Sequence, residues 1–276
     1  MKDRFQDLEI LAKQIRRDII TMISNAGSGH PGGSLSMVDI LVVLYFKQMR
    51  HNPKNPQWAE RDRFILSKGH ACSAWYSCLA RAGYFPVEEL LTFRKLPTRL
   101  QGHPALDKKL PGLENTSGSL GQGLSIACGI ALAGKIDKKD YRVYCMMGDG
   151  ELDEGQIWEA ALTASHYGVD NLCGIVDYNG FQLDGKLESI KNMEPIAAKW
   201  QSFGWRTIVI DGHNYEEINN AFEEAKKVSA KGGGCPTVII ARTIKGKGVS
   251  FMEGDNQWHG KAPTKEQAEK AIRELS

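Results

Sequence analysis

The 276 residues contain no Cys-x-x-Cys pair; the six cysteines, Cys72, Cys78, Cys128, Cys145, Cys173 and Cys235, are scattered through apolar patterns. Neither a zinc site of that kind nor a disulfide framework is expected, and most of the thiols should be buried. Long apolar runs are missing as well. The longest, at 40–46, is far too short to span a bilayer, and the opening MKDRFQDLEI carries charges where a secretory signal needs an apolar core. The expected location is the cytoplasm, with no membrane partner. There is also no excess of charge of either sign. With 35 basic and 33 acidic residues the formal charge is +2, which gives no electrostatic reason to expect nucleic acid. Repeats, low-complexity tracts and linkers are absent.

What remains is an ordinary globular composition, 42% hydrophobic and 25% charged, with length for a single large α/β domain over 1–276. Leu8, Leu11, Ile15, Ile19 and Met22 recur every three or four residues, predicting a first helix that ends in the glycines before a loop at 28–33 (SGHPGG). Ser36 and Asp39 read as the capping start of a second helix through about Met49. Strands are expected at 63–67, 143–147, 172–176, 205–210 and 237–241. Helices are expected at 71–82, 87–94, 118–135, 154–167, 215–229 and from 265, with Gly232-Gly233-Gly234 as a breaker and an irregular segment at 95–117. That alternation predicts a doubly wound parallel sheet with helices on both faces.

The chemistry concentrates at strand ends. A strand running into Gly148-Asp149-Gly150 and a later one running into Asp177-Tyr178-Asn179-Gly180 would place Asp149 and Asn179 at the carboxyl edge of a parallel sheet, where α/β proteins bind ligands. Two glycine-rich alternatives fail on spelling. The dinucleotide fingerprint needs glycine where Asp153 stands, and the phosphate loop needs lysine where Gln156 stands. A carboxylate, an amide and a backbone carbonyl beyond it offer hard oxygen ligands for Mg²⁺ or Ca²⁺, and the glycines let the backbone approach phosphates. The plainer alternative is that Asp149 caps a helix and Asn179 turns the chain.

His30, His70, His103 and His259 each lie beside glycine in an expected loop or strand end, whereas His51, His166 and His213 have no comparable setting or only a turn-like one. Converging imidazoles can move protons near neutral pH; a zinc site of three histidines is open, although no His-Glu-x-x-His helix supports it. A serine hydrolase fails because Ser117 stands where the nucleophile elbow around Ser119 needs glycine.

Taken in order, SGHPGG, DRFILSKGH, QGHP, TSGSLGQGL, MGDGELDEGQIWEA, DYNGFQLDG, VIDGH and WHGKAP resemble the transketolase family of thiamine diphosphate enzymes over nearly the whole chain. The resemblance implies a metal held by Asp149, Asn179 and the main-chain carbonyl of Phe181, with Gly148 and Gly150 against the diphosphate. It implies further that His70 and His259 contact the diphosphate or the reacting centre. His30 and His259 would assist proton removal from the donor hydroxyl, and His103 would hold the substrate. Gly118 and Leu120 would line the thiazolium ring, and Glu154 would lie near a subunit interface.

The implied reaction moves a two-carbon ketol unit from a ketose phosphate, such as xylulose 5-phosphate, to an aldose phosphate. The family's usual chain continues into a pyrimidine-binding domain and a C-terminal domain, whereas this sequence stops at Ser276. A split enzyme is therefore expected, with a separate C-terminal subunit completing each site, most simply as α₂β₂. Alternatives are a dihydroxyacetone synthase or 1-deoxyxylulose 5-phosphate synthase subunit, or a non-catalytic cofactor-binding or regulatory paralogue.

Overall fold

The computed structural model describes residues 4–230 and 234–276, so Gly232 and Gly233 of the expected breaker lie outside the described residues. Five strands, β1 (Arg63–Leu66), β2 (Val143–Gly148), β3 (Leu172–Tyr178), β4 (Arg206–Asp211) and β5 (Thr237–Arg242), form one sheet in the order β1-β2-β3-β5-β4. Every pairing is parallel. Around them run α1 (Gln6–Ala26), α2 (Pro31–Ser36), α3 (Val38–Val43), α4 (Cys72–Arg81), α5 (Gln122–Ile136) and α6 (Gly155–His166), then α7 (Leu187–Ile190), α8 (Ile196–Ser202), α9 (Tyr215–Ala230) and α10 (Lys265–Glu274).

The central strands are apolar on both sides because both faces are covered. Along β2, Tyr144 and Met146 join a core with Ile19 of α1, Leu41 of α3, Trp75 of α4 and Phe222 of α9. Val143, Cys145 and Met147 enter a second core with Leu124 of α5, Ile157 of α6 and Trp200 of α8. The expected doubly wound sheet is present, and five of the six cysteines are buried, Cys235 being half-buried. Among the described residues no helix is long and apolar enough to cross a membrane.

Several local expectations are corrected. The segment 28–33 is not wholly a loop, since α2 begins inside it at Pro31, whose fixed φ and missing N–H suit a first helical position. Ser36 and Asp39 cap nothing. The Ser36 hydroxyl donates to Asp177 Oδ2 at 2.5 Å, and Asp39 accepts from Arg16; long-range partners have taken the side chains that the local pattern assigned to a cap. The expected helix at 87–94 is a 3-10 segment, Val87–Thr92. α5 starts at Gln122 rather than 118, after Gly121 at φ 82°. A Cβ at Gly123 would stand 2.5 Å from the Cβ of Ser67, so only glycine lets the first turn of α5 rest on the end of β1. α7 and α8 are too short to carry a helical period that can be read in advance.

Candidate active site

The parallel arrangement sends the ends of β1, β2, β3 and β5 to one edge, and each end delivers polar groups there. From β2 comes Asp149, 2% exposed. Its Oδ1 accepts the Gly150 N–H at 2.8 Å and its Oδ2 the Gly180 N–H at 2.6 Å. Burial, and then the charge of neighbouring Asp177, push this carboxyl up to about 7 despite those donors. A cation bound beside it would reverse that shift.

From β3 come Asp177 and Asn179. Asn179 donates through Nδ2 to Asp177 Oδ2 at 3.4 Å and accepts the Phe181 N–H through Oδ1 at 3.1 Å. Phe181 forms an antiparallel bridge with Lys186. The hydrogen bonds flanking it run from Gln182 N–H to Gly185 O at 3.0 Å and from Leu187 N–H to Gly180 O at 2.9 Å, leaving the Phe181 carbonyl outside the pairing. Asp177 is fully buried. Burial alone would raise its carboxyl, but the Lys68 ammonium, with the hydroxyls of Ser36 and Thr243, holds it below the usual carboxylate range. Lys68, from the end of β1, is itself 2% exposed and also donates to Gly33 O at 2.8 Å.

The four glycine-flanked histidines converge. Ring centroids are 5.2 Å apart for His30 and His70, 5.1 Å for His70 and His259, 5.7 Å for His30 and His259, and 6.2 Å for His30 and His103. Burial, and then the Arg94 charge, lower His30 to about 4; burial and then Lys245 lower His259 to about 4. His70 and His103 are also lowered, first by burial and then by Lys68 and Arg94 respectively. His30 and His259 are therefore uncharged at neutral pH. Nδ1 of His30 is buried with no hydrogen-bond partner. Lys245, beyond β5, is 1% exposed, with its ammonium 3.1 Å from His259 Nδ1 and lowered to about 8 by burial.

A cavity of about 180 Å³ opens between these groups, lined by His70, Leu120, Gly148, Asp149, Gly150, Asn179, Phe181 and His259 among the expected site residues. His30 and His103 stand beside it through their ring contacts, and Gly118 lies against His103, where an added Cβ would be 3.9 Å from the ring. Glu154 is not brought to the cavity. It is exposed ahead of α6, with its Cβ against Gly121. Sequence reasoning missed Lys68, Lys245 and Glu151. Both lysines follow a strand closely and adjoin glycine, the same signal that selected the histidines. Glu151, 2% exposed, accepts from Gly121 N–H at 2.8 Å, from Gly148 N–H at 3.0 Å and from the Ser67 hydroxyl, tying three walls together. Nothing in its local spelling marks that role.

The strand ends thus gather a buried acid, an amide, two buried lysines and four imidazoles around one cavity. Comparison with known proteins narrows this. The family described as "Transketolase, thiamine diphosphate binding domain" matches residues 8–275. The chain belongs to the transketolase family, as its thiamine diphosphate binding domain. It is 45% identical over 275 residues to a 6-deoxy-6-sulfo-D-fructose transketolase subunit of Clostridium sp. strain MSTE9, covering 100% of this chain and 98% of that protein. It is 40% identical over 271 residues to an apulose-4-phosphate transketolase subunit of Phocaeicola vulgatus, covering 98% of this chain and 94% of that one. The transketolase structure from Campylobacter jejuni superposes with a TM-score of 0.91 at 36% identity, covering 99% of this chain. The chain spans only 43% of that longer protein.

Proposed function

We propose that this chain is the diphosphate-binding subunit of a two-subunit transketolase that moves a two-carbon ketol unit from a ketose phosphate to an aldose phosphate. The observation that carries the reading is the convergence of Asp149, Asn179, His70 and His259 on one cavity, with His30 and His103 packed beside it. The residues fit the cofactor's tail. Asp149 is a buried acid, pushed up to about 7 by burial and by neighbouring Asp177, so a cation beside it would be strongly favoured. Asn179 Oδ1 and the Phe181 carbonyl supply two more hard oxygens, so the site suits Mg²⁺ or Ca²⁺. Lys245 supplies positive charge for phosphate oxygens.

Bound thiamine diphosphate supplies a carbanion that can break and form carbon–carbon bonds beside a carbonyl. The chain's own residues supply the rest. Leu120 gives the cavity an apolar wall for a ring. His30, uncharged at pH 7, accepts the proton of a donor hydroxyl at a ring nitrogen and returns it when the acceptor has added. His259, whose Nδ1 accepts from the Lys245 ammonium, carries its proton on Nε2 and donates it to the same substrate oxygen. His70, whose ring packs against those of His30 and His259, is placed to orient the bound ligand. His103, beside His30, can hydrogen-bond substrate hydroxyls.

A cavity of about 180 Å³ falls below the roughly 300–1,000 Å³ of whole small-molecule sites. That size, with the near-complete coverage of relatives that are themselves named subunits, supports a site completed by another chain. We propose that a separate C-terminal subunit carries pyrimidine-binding and C-terminal domains, in an α₂β₂ assembly. The test assays ketol transfer with thiamine diphosphate and Mg²⁺. The chain alone should give no turnover and the chain with its partner should give full turnover; full activity from the isolated chain would refute the split.

A further inference from the structure

His213 stands apart from the four site imidazoles, in the Asp211-Gly212-His213 turn after β4. Both ring nitrogens are engaged. Nδ1 lies 2.7 Å from Asp39 Oδ2, and Nε2 lies 2.9 Å from the backbone nitrogen of Ile244. A backbone N–H can only donate, so Nε2 is the acceptor and the ring's proton sits on Nδ1, donated to Asp39. Asp39 is held in its turn by Arg16, at 2.9 and 2.7 Å, and by the Tyr215 hydroxyl at 2.7 Å. Asp39 is 3% and Arg16 6% exposed, so the carboxylate that orients the ring has little freedom of its own.

Ile244 immediately precedes Lys245. The chain on either side is tied by backbone bonds, from Thr243 N–H to Tyr178 O at 3.0 Å and from Gly246 N–H to Gly32 O at 3.0 Å. The bond at Ile244 comes from a side chain. Lys245 must thread a narrow gap, since a Cβ on Gly32 would stand 3.0 Å from its Cγ. The ammonium itself reaches Asn256 Oδ1 at 3.2 Å and Gln182 O at 3.4 Å as well as His259, so the backbone at Ile244 sets where this confined side chain starts.

We propose that His213 is a positioning residue: through its bond to Ile244 it sets the Lys245 ammonium at the anion-binding end of the cavity, with the Arg16–Asp39 pair fixing the ring. This rests on the reading that the cavity takes thiamine diphosphate. A merely structural role would be to satisfy buried Asp39. Two near-isosteric variants separate the roles. His213→Gln keeps an acceptor near the Nε2 position and gives up the donor to Asp39; His213→Asn does the reverse.

With the chain assembled with its partner subunit, in thiamine diphosphate and Mg²⁺, His213→Asn should weaken affinity about tenfold or more and His213→Gln by less than about threefold. In Lys245→Met the same His213→Asn change should cost nothing further. Without cofactor, the Ile244 amide should exchange faster with solvent in His213→Asn alone, and the His259 imidazole resonance should shift with it. Unchanged exchange and affinity in His213→Asn, or equal losses in both variants, would overturn the proposal. Wild-type protein that binds no thiamine diphosphate even when assembled with its partner subunit would instead count against the cavity reading, while the exchange measurement would still decide the role of His213.

Discussion

Asp149→Ala should abolish the Mg²⁺ dependence of thiamine diphosphate binding and weaken binding by at least about a hundredfold, while the protein stays folded. Truncating one partner of a buried charge contact costs about 2–5 kcal/mol, and about 2.7 kcal/mol is already a hundredfold. The fold should survive because two effects oppose each other. The substitution strands the N–H groups of Gly150 and Gly180, at about 1–3 kcal/mol each if no water reaches them. It also removes a buried carboxyl that burial has pushed up to about 7, and which therefore opposes folding more strongly as pH rises from the usual carboxylate range towards that value. Calorimetric titration with and without Mg²⁺, beside thermal melts of both proteins, separates the two consequences. Unchanged affinity in a folded variant would remove Asp149 from the cation site.

Lys68→Met should be the most destabilising single change at the site, by about 3–5 kcal/mol at pH 8, because it leaves Asp177 charged, fully buried and without its cation. The sign with pH is fixed by the carboxyl. In the wild type Asp177 is held below the usual range, so its stabilising contribution is present above the unfolded value of 3.8 and is lost as pH falls through the folded one. In the variant burial outweighs the remaining Ser36 and Thr243 hydroxyls, the folded carboxyl moves above the unfolded value, and stability falls as pH rises. The gap between the proteins should therefore narrow on acidification. Adding Asp177→Asn to Lys68→Met should recover most of the loss. Denaturant melts across pH 5 to 8 would show it, and a gap that is constant or grows on acidification would contradict the buried pair.

The sheet was legible because its central strands are covered on both faces and spell continuous apolar runs such as 143–147, ended by glycine or a polar residue. Ligand groups at strand ends inherit that legibility, which is why Asp149, Asn179 and the four histidines emerge from spelling alone. What was hidden depends on contacts distant in the chain. Ser36 and Asp39 look like caps until Asp177 and Arg16 are brought beside them. Glu151 looks like one more acid in a first helical turn, yet it accepts from Ser67, Gly121 and Gly148. Lys68 and Lys245 were readable by the rule that found the histidines, but a lysine near a strand end is ordinarily a solvated charge. Only their burial at 2% and 1% distinguishes them.

His213 makes the same point. Its motif was visible, but its meaning lies in the partners of its two nitrogens, one on α3 and the other beyond β5.

The most direct measurement is a crystal structure of the chain, assembled with its partner subunit, in thiamine diphosphate and Mg²⁺. The cation should be ligated by the Asp149 carboxylate, Asn179 Oδ1 and the Phe181 carbonyl, with the diphosphate against Gly150 and Lys245 and the aminopyrimidine end in the partner. A diphosphate or cation bound without contact to Asp149, or an aminopyrimidine wholly enclosed by this chain, would contradict the account.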